Sequence, residues 1–182
     1  MTTTTTTALP LAAGAWTLDP AHSSVGFTIR HLGVSKVRGR FNRFSVDAVV
    51  GDSLETSSVA AIIHVDSVDT GIADRDAHVL QPDMVDVSER PTISFTSRSI
   101  EADGEGYVIE GDATIGAVTR PLRLQVELGG VQDFADGTRH AGFEARGELR
   151  RSDFGIAPAV PSAMLGDVLK IELDLQLVEP PT

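Results

Sequence analysis

Cysteine is absent from this chain of 182 residues. That removes disulfides, thiolate metal sites and a cysteine nucleophile together. No run approaches the ~20 apolar residues of a membrane-spanning helix. Basic residues are in the minority, with 15 Lys and Arg against 26 Asp and Glu, for a net charge of −11. Such a charge repels phosphate backbones and anionic membrane surfaces, so neither nucleic acid nor stable membrane insertion is expected. A glycine-rich phosphate loop and a Gly-x-Ser-x-Gly nucleophile elbow are missing. Residues 1–15, MTTTTTTALPLAAGA, lack the basic start and the apolar stretch of a signal peptide. The chain therefore reads as cytoplasmic, with residues 1–14 a disordered tail and residues 15–182 a single domain.

What remains is ordinary for a globular protein, at 41% hydrophobic and 23% charged residues. From Trp16 onward the apolar residues recur with a period of two. Val25, Phe27, Ile29 and His31 alternate with Ser24, Gly26, Thr28 and Arg30, and Leu122, Leu124, Val126 and Leu128 alternate with Arg123, Gln125 and Glu127. One apolar and one polar face is the mark of a half-buried antiparallel strand. The pattern predicts strands near 16–31, 36–50, 58–67, 92–100, 106–116, 121–130, 138–150 and 168–179, punctuated by turn signals such as Asp103-Gly104 and Asp136-Gly137. Long strands joined by short turns suggest an all-β fold, an eight-stranded antiparallel barrel, with a two-sheet sandwich as the competing architecture. Residues 70–90 lose the period of two and predict a short helix over 72–80, and residues 151–167 read as a long loop.

Several blocks carry a resemblance. They are WTLDPAHSSVGFTIRHLGVSKVRGRFNRFS (16–45), DTGIADRDAHVLQPDMVDV (69–87), RPTISFTSRSI (90–100), GDATIGAVTRPLRLQVEL (111–128), RSDFGI (151–156) and GDVLKIELDLQL (166–177). In this order they resemble the YceI-like family of bacterial lipocalin-like barrels that bind isoprenoid lipids. Ala113 and Ala117 stand where that family usually has Leu and Gly. The resemblance implies an eight-stranded barrel with a helix beside one opening, and a tunnel for a polyisoprenoid, an isoprenoid quinone or a similar amphiphile. The expected role is carriage, storage or sequestration under stress, without a cofactor and without catalysis. A homodimer is compatible with the family, although the residues do not demand one. The rival reading is a packed interaction module without a lipid.

A long lipid gains ~0.8 kcal/mol for each buried CH₂, so an apolar tunnel suffices for binding and few polar groups are needed. Phe27, Phe44, Ile63, Val65, Ile93, Phe95, Phe143 and Phe154 are the expected lining, and each would serve equally as ordinary core. His31 shares the parity of Phe27 and Ile29 and is expected to point inward at a head group, unless it is a hydrogen-bonded core histidine. Arg38, Arg75 and Arg151 are the candidate cations for the polar end. For Arg75-Asp76 and Arg151-Asp153 the alternative is a pair of structural salt bridges. Asp19, His22 and Ser23 lie too close along one strand to form a hydrolase triad. Asp74, Asp76 and His78 do not share a helix face, so no metal site is expected.

Overall fold

Alternation of apolar and polar side chains resolves into eleven strands in the computed structural model, which describes residues 9–182. They are β1 (Gly14–Leu18), β2 (Ser24–His31), β3 (Ser35–Phe41), β4 (Phe44–Val50), β5 (Ser58–His64), β6 (Val68–Asp69), β7 (Thr92–Asp103), β8 (Gly106–Ile115), β9 (Val118–Asp133), β10 (Arg139–Arg150) and β11 (Val168–Val178). A single α-helix, α1 (Ala73–Val79), lies between β6 and β7, where a helix is predicted. The ring β1-β4-β5-β7-β8-β9-β10-β11 returns to β1 through Thr17–Val178 and Leu18–Leu177, so the protein is a closed eight-stranded antiparallel barrel.

The first two predicted strands each divide at a kink. Pro20 has no N–H to continue a ladder, and Asp19 caps a 3₁₀ turn at Pro20–His22 by accepting from the Ala21 N–H at 3.0 Å. Ser23 fills the gap in the ladder, since its hydroxyl accepts from the Gln176 N–H at 2.9 Å and donates to the Asp19 carbonyl at 2.7 Å. Ser67 does the same at the second kink, where its hydroxyl accepts from the Arg43 N–H at 3.0 Å. Beyond the kinks the pairing changes. β1 and β4 complete the ring at one end, while β2 and β3 form a hairpin that pairs with the first half of β11 at the other end. The sheet stops there at the two-residue β6, and α1 with residues 84–85 forms the remaining wall.

Strand limits differ from expectation where polar residues close the hairpins. β7 continues through Glu101 and Asp103 to a tight turn at Gly104, whose φ of +60° favours glycine. β9 is likewise longer than its apolar run, and a register shift between Gly142 and Phe143 in β10 bends it. Of the expected N-terminal tail, residues 1–8 lie outside the described residues. Residues 9–13 pack on the barrel, with Leu9 and Leu11 against its core and the Trp16 indole N–H donating to the Ala12 carbonyl at 2.9 Å.

Candidate functional site

Inward-facing side chains of the barrel do not fill it. They enclose two chambers, of about 170 Å³ at the closed-ring end and about 290 Å³ at the helix end. Ile63, Ile93, Leu149 and Ile171 face both chambers and form a waist between them.

Regular strands build the upper chamber. Phe95, Ala113, Leu122, Leu124, Phe143 and Leu173 are among its walls, Leu9 and Leu11 reach into it, and its polar side chains are Ser57, Ser58 and Tyr107. Ala113, the departure from the usual family Leu, is 1% exposed and faces this chamber. Ala117 is exposed in the β8–β9 turn, away from both chambers. Glycines make room for the large side chains. A Cβ at Gly111 would overlap the Phe95 ring, and one at Gly39 would overlap the Phe27 ring.

Irregular segments contribute much of the lower chamber. Phe27, Ile29 and Val37 come from the β2–β3 hairpin, Arg75, His78 and Val79 from α1, and Phe154, Ile156 and Leu165 from the 151–167 loop. Arg75, His78, Arg150 and Arg151 are its charged or titratable lining residues, and no carboxylate accompanies them.

Those cations have different tasks. Arg151 is 4% exposed and spends all five donors on carbonyls. Its Nε donates to Gly166, Nη1 to Ile156 and Ala157, and Nη2 to Val160 and Leu165, at 2.7–3.3 Å. It folds the loop around itself and has no donor left for a ligand, which corrects the expectation that it grips a head group. The expected salt bridge to Asp153 is also absent among the described residues, and Asp153 is exposed. Instead Asp167 fastens the loop to the barrel, accepting from the Ser152 N–H at 3.0 Å, the Ser152 hydroxyl at 2.9 Å and Arg150 at 3.4 Å. The Ser152 hydroxyl is the leading cause that holds the Asp167 carboxyl below its ordinary value of 3.8.

Arg75 is half-buried. Its Nε donates to the Thr70 hydroxyl at 2.7 Å and its Nη2 to the Thr70 carbonyl at 2.8 Å, while Nη1 has no hydrogen-bond partner among the described residues. Asp76 does not pair with Arg75 directly; it accepts from the Thr70 N–H at 2.8 Å and the Thr70 hydroxyl at 2.6 Å. The guanidinium is thus aimed by Thr70 with one donor edge free. His78 turns to Asp83 at 3.0 Å, and that hydrogen bond lowers the Asp83 pKa.

Nine of the twelve expected ligand residues line the chambers: Phe27, Val65, Arg75, Arg151 and Phe154 the lower, Phe95 and Phe143 the upper, Ile63 and Ile93 both. The remaining three do not. His31 ends β2 where the strand runs past the chamber, and it is exposed beside Leu165. Arg38 stands opposite Thr28 on the outer face of the hairpin and is exposed. Phe44 is half-buried beside the Asn42–Arg43 kink. Sequence reasoning missed Leu9, Leu11, Ile156 and Leu165, which lie where no alternation marks them. Ile171 and Leu124 do carry the alternation signal, on strands that also bear the expected pattern.

The Asp19, His22 and Ser23 cluster is accounted for by the kink. His22 Nδ1 bonds Asp19 at 2.8 Å, and the Ser23 hydroxyl is engaged with the backbone. Among the described residues no group of three or more His, Asp or Glu could hold a metal ion, and no helix is long and apolar enough to cross a membrane.

The YceI-like domain model matches residues 16–177. The chain belongs to the YceI-like domain family. A UPF0312 protein of Pectobacterium carotovorum subsp. carotovorum is 38% identical over 137 residues, covering 74% of this chain and 71% of that protein. Protein YceI of Escherichia coli O157:H7 is 37% identical over 136 residues, with the same coverage. Among solved structures, the Campylobacter jejuni YceI protein matches with a TM-score of 0.75 at 32% identity, over 91% of this chain and 98% of that one. A polyisoprenoid binding domain from Saccharophagus degradans shares the fold at a TM-score of 0.61 and 12% identity, over 93% of this chain and all of that one.

Proposed function

We propose that the barrel holds a long apolar molecule, a polyisoprenoid, an isoprenoid quinone or a similar amphiphile, threaded through both chambers. The observation that carries this reading is the pair of apolar cavities lying end to end in the barrel, with Ile63, Ile93, Leu149 and Ile171 lining both, so that a chain passing between these side chains would occupy the two together. Each buried CH₂ contributes ~0.8 kcal/mol, so binding follows from the walls alone. Arg75 gives the ligand its direction. Its free Nη1 edge would meet a phosphate or carbonyl oxygen at the helix end, leaving the tail in the upper chamber, which has no charged lining residue. The same reading makes the protein a non-catalytic carrier, store or sequestering agent working in the cytoplasm.

Organic extraction of purified protein followed by mass spectrometry tests it, with denatured and refolded protein as the control. A stoichiometric long-chain amphiphile in the native sample alone is the expected result. Clean extracts, together with no uptake of added polyprenyl lipids or quinones, would overturn it in favour of an interaction module.

A further inference from the structure

Charge is distributed unevenly in this acidic chain. Positions 20–46 contain no Asp or Glu, yet they carry Arg30, Lys36, Arg38, Arg40 and Arg43. Arg40 is paired with Asp69 and Arg43 with Asp66. Arg30, Lys36 and Arg38 have no ion-pair partner among the described residues and are exposed. The β2–β3 register sets Arg30 directly opposite Lys36 on the outer face, while Ile29 and Val37 turn inward to the lower chamber. Like charges facing one another across a ladder oppose pairing, so this arrangement does not serve the fold. The adjoining strand places Lys170 opposite Thr28, but Lys170 also faces Glu148 across the β10–β11 ladder, so the unbalanced charge is that of Arg30, Lys36 and Arg38.

The tip is as unexpected as the stem. Leu32 and Gly33 have φ of +53° and +68°, and the Val34 N–H donates to the His31 carbonyl at 3.2 Å, a β-turn with positive φ at both central residues inside the three-residue loop between His31 and Ser35. Asn, Asp or Gly takes the first central position of such a turn readily; leucine is strained there. Leu32 is nevertheless 52% exposed and Val34 82% exposed. Beside them Met164 is 53% exposed, its carbonyl accepting the Leu32 N–H at 2.9 Å. A strained, solvated leucine above an unneutralised basic stem weakens the folded state and is explained by a surface that is both apolar and anionic.

We propose that the β2–β3 hairpin docks the helix end of the barrel on an anionic lipid bilayer. Leu32 and Val34 enter the boundary between head groups and acyl chains, and Arg30, Lys36 and Arg38 face the lipid phosphates. The surplus acid elsewhere on the protein turns this end toward the membrane. The docking rests on the lipid-carrier reading only for its purpose, which is to bring the lower chamber to its source of ligand.

Co-sedimentation of the full chain with vesicles tests the proposal. Binding is expected to phosphatidylcholine vesicles containing phosphatidylglycerol, not to pure phosphatidylcholine, and it should fade as salt is raised. Arg30→Gln and Lys36→Gln should each weaken it about fivefold, the effect of one interfacial cation. Leu32→Asn with Val34→Thr should abolish it while holding or raising the thermal midpoint, because asparagine suits the turn. Failure of the native chain to bind the anionic vesicles would overturn the proposal, as would undiminished binding by the Leu32→Asn, Val34→Thr variant. Mass spectrometry of extracts from the native chain keeps the two readings apart. Absence of a lipid despite intact vesicle binding counts against the carrier function alone, and lipid retained without vesicle binding by the native chain counts against docking alone.

Discussion

The two chambers share one barrel and a common waist, yet they are built on different principles. In the upper chamber most of the wall is regular strand, closed by Leu9 and Leu11, and period-two alternation supplies carbon and little else. In the lower chamber a helix, a hairpin and a loop replace part of the wall, and the helix and loop bring Arg75, His78 and Arg151, beside Arg150 at the end of β10. Regular sheet makes a good container because it hides its own polar groups in the ladder. Discrimination would need a side chain aimed by something other than the pleat, and Thr70 holds Arg75 in that way, whereas the loop carbonyls consume Arg151. On the proposed function, capacity and selectivity would fall to opposite ends of the barrel.

The sharpest way to break this contrast is to remove the loop's centre. Arg151→Met leaves several buried carbonyls without donors and releases Ala157 from its φ of +49°. Stability to urea should fall by about 3 kcal/mol or more, with hydrogen exchange rising over residues 151–167 and little change in β8 and β9. Ala113→Leu attacks the other chamber. It restores the bulk the family usually has there and displaces about three methylenes of ligand, a loss of ~2 kcal/mol in affinity for the longest chains and none for short ones. A titration against amphiphiles of graded length reads that difference directly.

Arg75→Gln separates the functions of the two ends most cleanly. Affinity for anionic amphiphiles should drop by about 1.5 kcal/mol, the value of a hydrogen bond to a charged group, while a neutral chain of equal length binds unchanged. The smallest effect concerns pH. Because the folded Asp167 carboxyl titrates below its ordinary value of 3.8, it stabilises the loop above that pH, and this contribution is lost as pH falls through the lower, folded value. Asp167→Asn should flatten that acid limb of the stability curve and leave stability near pH 7 reduced only slightly, as followed by thermal melts across pH.

The same contrast governs what could be read from sequence. Alternation identified the barrel and most of its lining, since Phe95, Phe143 and Ile93 point inward for no reason beyond their parity. His31 obeys that parity too, but parity says nothing of where a strand outruns the cavity. Arg151 and Arg75 were recognisable as special, although their roles were not. Whether a guanidinium is saturated depends on carbonyls 5 to 15 residues away that only the folded loop assembles. Net charge is an average over the chain, and it says nothing of a local excess such as the five basic and no acidic residues of positions 20–46.

One strand, β11, is shared by both ends of the molecule, pairing with β2 through Lys170–Asp174 and with β1 through Leu177 and Val178. On a ribosome this means that residues 14–31 emerge early and wait for partners that are synthesised some 150 residues later. Until then the sheet has two open edges and a bare apolar face, the arrangement most prone to pairing with a neighbouring chain. Closure is thus a late and slow step dominated by distant contacts, and a nascent barrel held open is the state that a cell producing this protein must protect.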